Sequence, residues 1–123
     1  MPVPVLKQGD VLIASIQSAL TDRDLLQLKD ELAEKVGQFR SSGVIIDVTA
    51  LDVMDSFATR TLRGLAAATK LRGAETVIVG IQPDVAMALV ELGLTLEGVE
   101  TALDLEEGLE TLRAAVDAHR HGG

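Results

Sequence analysis

The sequence predicts an α/β domain: a mainly parallel five-stranded sheet with an edge hairpin and four main helices. Three observations predict it. Val44-Ile45-Ile46-Asp47-Val48 is a nearly unbroken β-branched run, the pattern of a strand covered on both faces. Strand-like runs then alternate with stretches whose apolar residues recur at three or four positions, the mark of β-α units joined by right-handed crossovers. The first two strand-like runs are separated only by Lys7-Gln8-Gly9-Asp10, which reads as a hairpin turn.

The elements follow in order. Val3 and Val5 alternate with Pro2 and Pro4, which places this strand at the edge, where a missing N–H is tolerated. Residues 11–16 form its partner. Thr21 and Asp24 have the spacing of a capping box, with Asp in place of the usual Glu. Leu25, Leu28, Leu32, Val36 and Phe39 then define one apolar helical face, which Ser41-Ser42-Gly43 ends. After the central strand and the loop 50–54, either Asp55 or Ser56 can cap a helix running to about residue 72, so Ser56 stands at an exposed helix start. Phe57, Leu62, Leu65, Ala66 and Thr69 are expected inward. Thr59, Arg60 and Arg63 are expected outward near Ser56, and Gly73 suits the C-cap. Residues 76–81 give the next strand. Pro83 opens a helix with Val85, Ala86, Leu89, Val90 and Leu92 as its apolar surface, and Gly93 stops it. A short strand falls near 99–103. Asp104-Leu105-Glu106-Glu107 resembles a capping box before a last helix with Leu105, Leu109, Leu112 and Val116 inward. The domain is assigned to 1–117, and 118–123 to a flexible tail carrying His119 and His121.

Composition narrows the function. The 123 residues carry 11 Lys and Arg against 19 Asp and Glu, a formal charge of −8. That charge repels a phosphate backbone and an anionic membrane, so neither nucleic acid nor membrane is expected as a partner. Phe39 and Phe57 are the only aromatic residues, too few for base-stacking platforms. With no cysteine there is no disulfide, thiolate nucleophile or cysteine metal site. No basic-then-apolar leader is seen, and no apolar run approaches membrane-spanning length, so a cytoplasmic location is the expectation.

Few kinds of catalyst fit. A Ser-His-acid triad would have to recruit a tail histidine, and the tail pair reads as solvated rather than as a metal site. The glycines are not arranged as a phosphate loop, and no cofactor is expected. Asp47, Asp52 and Asp55 near a strand end offer one alternative, a receiver-like or Mg²⁺-dependent phosphoryl-accepting domain. Against it, Lys7, Lys29, Lys35 and Lys70 all lie away from the last strand, and Asp52 and Asp55 have the chemistry of turn and cap residues. Ser56 offers another reading. A phosphate there meets the N–H groups and positive dipole end of a helix, so it changes a surface without melting the domain. Beside Asp52 and Asp55 it deepens a negative patch and repels a docked partner. Thr59 and Thr61 are further hydroxyls on the same helix, and Arg60 and Arg63 further charges.

Several separated segments add a resemblance. They are Leu12-Ile13-Ala14-Ser15-Ile16-Gln17, Met54-Asp55-Ser56-Phe57, Gly80-Ile81-Gln82-Pro83-Asp84-Val85-Ala86, Leu89-Val90-Glu91-Leu92-Gly93 and residues 100–109. Together they resemble the STAS domain of bacterial anti-sigma factor antagonists, and within it the small RsbS-like stressosome proteins. The resemblance implies a STAS (anti-sigma factor antagonist-like) fold whose β-α units wind in superhelical order beside the hairpin. It implies Ser56 as the phosphoacceptor of an RsbT-like serine kinase. Asp52, Asp55, Thr59, Arg60 and Arg63 are read from their positions as support for the surface around it. The resemblance further implies an RsbR-like STAS co-antagonist, a phosphatase that resets Ser56, and homo- and hetero-oligomers in a large complex. The protein is then substrate, scaffold and antagonist, and not an enzyme. A passive architectural subunit whose serine is never modified is the plainer alternative.

Overall fold

A computed structural model describes residues 3–121, with side chains described through residue 118. The hairpin comprises β1 (Val5–Gln8) and β2 (Val11–Ser15), paired antiparallel with Val5 opposite Ala14 and Gln8 opposite Val11. The strand therefore begins after the prolines and extends through Lys7 and Gln8, which the sequence assigned to the turn. The turn contracts to Gly9-Asp10, with Gly9 at φ +59°. Pro4 still contributes its carbonyl, which accepts from Ser15 N–H at 3.2 Å.

From β2 the chain alternates: α1 (Asp22–Phe39), β3 (Gly43–Asp47), α2 (Ser56–Leu71), β4 (Glu75–Val79), α3 (Pro83–Glu91), β5 (Glu100–Ala102) and α4 (Leu105–His121). The sheet order is β1-β2-β3-β4-β5, and every pair after the hairpin is parallel. The expectation of a mainly parallel sheet with an edge hairpin and four helices holds. The side chains of residues 119–121 lie outside the described residues, as do residues 1, 2, 122 and 123 entirely. The backbone stays helical to His121, so the tail expected from residue 118 begins inside α4. What the two histidines do lies outside the described residues.

Period-two alternation in the strands divides the core into two layers. Val44, Ile46 and Ile78 pack with Leu28, Leu32 and Val36 of α1, Leu62 and Leu65 of α2, and Val85 and Leu89 of α3. Ile13, Ile45, Val77 and Val79 face the other way, onto Leu112, Leu109 and Val116 of α4. Helices α1 to α3 thus cover one face and α4 the other. This is why the central strand is β-branched along its length. Gly43 lets α4 close in, because a Cβ there would run into the Leu112 side chain.

Helix ends are locally encoded in part. Thr21 and Asp24 form the reciprocal capping box: the Asp24 N–H donates to Thr21 Oγ1 at 3.1 Å, and the Thr21 N–H to the Asp24 carboxylate at 3.3 Å. Hydrogen bonding from the Thr21 hydroxyl, and then from its backbone N–H, holds the Asp24 carboxyl below its ordinary range. Leu25, Leu28, Leu32 and Val36 are buried as expected, but Phe39 is exposed at the helix end, where the Lys7 Nζ stands 5.8 Å from the ring centroid.

Several assignments of side-chain direction need correction. Thr59 is fully buried, not outward, and Thr61 is buried with it. The reason is that α2 lies against both the sheet and α1, so its buried arc spans Thr59, Thr61, Leu62, Leu65, Ala66 and Thr69. Phe57, expected inward, is half-buried. In α3, Val85 and Leu89 are inward, but Ala86, Val90 and Leu92 face solvent. This helix is short and is covered on one side only. Leu105 likewise stands exposed at the start of α4, where Asp104 accepts from Glu107 N–H at 2.8 Å.

Candidate functional site

The site is built where β3 ends and α2 begins, at the carboxyl edge of the sheet. In open α/β sheets this edge is where loops and helix N-termini converge. The Asp47 carboxylate, at the end of β3, accepts from the Thr49 N–H at 2.9 Å and from its hydroxyl at 2.6 Å. This closes an Asx-type turn that redirects the chain out of the sheet. Leu51 and Met54 are buried and pin the loop to the core, while Asp52 and Val53 between them point to solvent.

Asp55 caps α2. Its backbone is extended (φ −81°, ψ 178°), and its carboxylate accepts from the Ala58 N–H at 2.8 Å. The sequence left the cap open between Asp55 and Ser56, and the structure assigns it to Asp55. Ser56 is the first helical residue and is half-buried at the exposed end of the helix. Its hydroxyl is therefore relieved of the capping role. The Asp55 carbonyl receives two donors, the Thr59 N–H at 3.0 Å and the Thr59 hydroxyl at 2.9 Å. Thr59 thus braces the helix start from within and does not belong to the surface.

The residues around Ser56 divide accordingly. Asp52, Asp55 and Arg60 are exposed, and Arg60 is one turn from Ser56 on the same helix. Arg63 is half-buried, and its guanidinium donates to the Thr95 carbonyl at 3.1 Å, tying α2 to the loop after α3. Asp47, Asp52 and Asp55 are not assembled as a ligand set: Asp47 is engaged by Thr49 and Asp55 by the cap. Among the described residues no group of three or more acids or histidines is placed to hold a metal ion.

Sequence reasoning missed the support from the neighbouring β4–α3 connection. The Gln82 side-chain amide donates to the Thr49 carbonyl at 2.7 Å. Gly80, at φ +81°, lets the chain pass directly against Thr49, whose Oγ1 occupies the space a Cβ would need. The available signal was a glycine immediately after a β-branched strand, paired with a glutamine before a helix-opening proline.

Comparison with known proteins bears on this arrangement. The STAS-domain family model matches residues 3–108, from the hairpin to the first turn of α4. The chain belongs to the STAS-domain family. The RsbT co-antagonist protein RsbRA of Bacillus subtilis (strain 168) is 26% identical over 115 residues, which is 94% of this chain and 41% of that protein. The chain therefore spans about two fifths of the length of that relative. A serine-to-glutamate variant of RsbS from Moorella thermoacetica is 37% identical with a TM-score of 0.79, over 94% of this chain and 97% of that one. A chain from the molecular architecture of the stressosome, described as a signal integration and transduction hub, is 38% identical with a TM-score of 0.74, over 91% and 97%. This STAS chain is RsbS- and RsbR-like in sequence and fold. Among the described residues no helix is long and apolar enough to cross a membrane.

Proposed function

We propose that the chain is a non-catalytic stressosome scaffold and antagonist that sequesters an RsbT-like serine kinase and releases it when Ser56 is phosphorylated. The observation that carries this reading is the separation of roles at the α2 start. Asp55 makes the cap bond, Thr59 braces the turn from inside, and Ser56 presents a hydroxyl that the fold does not use for capping. Phosphate at this position adds about −1.5 to −2 charge against the backbone N–H groups of a helix start, which tolerate it. The added charge lies next to Asp52 and Asp55, so it acts by repelling the docked partner and not by reordering the fold. Its likeness to RsbS, and to a protein named as an RsbT co-antagonist, supports the choice of kinase and of an RsbR-like co-antagonist as a second STAS partner in a homo- and hetero-oligomeric complex. A phosphatase resetting Ser56 completes the cycle, which runs in the cytoplasm and needs no cofactor. Exposed Asp52 and Arg60 supply contacts to the kinase, while the Arg63 tie to Thr95 holds α2 in place.

The test is gel filtration of the RsbT-like kinase with this chain, before and after ATP. Co-elution lost on phosphorylation, and retained by Ser56→Ala in the presence of ATP, is the expected result. A kinase that never co-elutes, or that dissociates equally from Ser56→Ala, overturns the reading and leaves a passive architectural subunit.

A further inference from the structure

The acidic character of this chain is not spread over it. Between Arg72 and Arg113 there are nine Asp and Glu residues and no Lys or Arg, whereas the rest of the chain is close to neutral. This segment covers β4, α3, β5 and the first turns of α4. Apart from Glu75, its acids are all exposed. Among the described residues the one salt bridge is Lys35–Glu31, outside the segment. The same segment carries large apolar side chains in solvent: Met87, Val90, Leu92, Leu103 and Leu105, with Val90 and Leu103 exposed by 78% and 79%. Met87 and Val90 lie three apart and share the outer side of α3. A shallow groove of about 300 Å³, lined by Ile81, Ala86, Leu103 and Glu107 among others, joins that helix to the β5–α4 corner.

We propose that this α3–β5–α4 face is a second docking surface, separate from Ser56, whose occupant is a cationic amphipathic segment of another protein. Exposed apolar side chains on a segment whose own charges are all acidic, which Arg63 of α2 meets at the Thr95 carbonyl, fit a partner with an apolar stripe flanked by Lys and Arg. The charge also selects against a second copy of this chain. A two-fold pairing would set the same acids against themselves. The open sheet edge here is only three residues long and carries Glu100, which blunts strand-to-strand pairing between copies.

The experiment uses the full chain and a fluorescein-labelled leucine–lysine peptide of about 18 residues, long enough for five helical turns. Anisotropy at about 0.05 M and about 0.5 M salt gives the affinity and its screening, and amide chemical shifts map the contact. The expected result is binding that weakens about tenfold at the higher salt, with shifts confined to α3, β5 and the start of α4. Val90→Ser combined with Leu103→Ser lowers the affinity about tenfold, the size expected from two exposed apolar contacts. Leu71→Ser, at a still more exposed leucine outside the segment, leaves it unchanged. Shifts elsewhere, equal loss in Leu71→Ser, or no binding overturn the proposal. So does sedimentation showing a dimer that Val90→Ser dissolves, which assigns the face to a second copy.

Discussion

The assignment of the α2 cap to Asp55 predicts that two adjacent substitutions have different consequences. Asp55→Ala removes the acceptor of the Ala58 N–H bond at 2.8 Å and leaves that donor to water. Losing an N-cap of this type costs about 1 kcal/mol, within a range of about 0.5–2. Ser56→Ala, one residue on, deletes a hydroxyl that makes no cap bond and installs a better helix former, so its effect stays within about 0.5 kcal/mol of zero. Unfolding entropy of about 2.1 cal/mol/K per residue, over 123 residues, converts 1 kcal/mol into a Tm shift of about 4 °C. Urea titration and calorimetry of both variants read this directly, with an unchanged m-value confirming that the native state is intact. Asp55→Asn keeps the acceptor and restores most of the loss. If Ser56→Ala costs as much as Asp55→Ala, or if Asp55→Ala costs nothing, the serine is the cap and the separation of roles at this site is wrong.

Other consequences are open to measurement. Gly80→Ala forces a side chain into a left-handed backbone position and against the Thr49 hydroxyl. It should cost about 2–3 kcal/mol and weaken the loop that presents Ser56, seen as faster amide exchange over residues 48–55. Thr59→Val should cost about 1 kcal/mol in urea denaturation by removing the partly buried hydroxyl bond to the Asp55 carbonyl. For the same reason, tandem mass spectrometry of kinase-treated protein should find no phosphate on Thr59. The depressed Asp24 carboxyl gives a sign for acid sensitivity: a group lowered in the folded state stabilises above its ordinary value of 3.8. The deficit of Asp24→Ala relative to the parent should therefore be complete above that pH and vanish as the pH falls through the lower folded value. Equal deficits across the acid range would contradict the capping box as its source.

What was legible in the sequence was what local chemistry decides. The α1 start needed only Thr21 and Asp24 at the right spacing, and the double-sided burial of β3 followed from Val44, Ile45 and Ile46 in succession. The α2 boundary was legible, but its cap was not, because Asp and Ser are nearly equal cap formers and the choice depends on where Leu51 and Met54 anchor the loop. Thr59 was misplaced because a helical wheel gives one buried face, whereas α2 is covered by both α1 and the sheet. Val90 and Leu92 were misplaced in the opposite sense. Their apolar character suggested a core that α3 has no neighbour to provide, and that mismatch is what exposes the acidic, apolar face. Gln82 and Gly80 act on Thr49 across more than thirty residues of chain, a contact that only the fold creates.

The central claim is that Ser56 accepts the phosphate. The most direct test is site-resolved tandem mass spectrometry of this chain after incubation with an RsbT-like kinase and ATP, beside Ser56→Ala. The account predicts a single acid-stable phosphate on Ser56, absent from the variant. Phosphate on Asp47, Asp52 or Asp55, on Thr61, or undiminished in Ser56→Ala would contradict it.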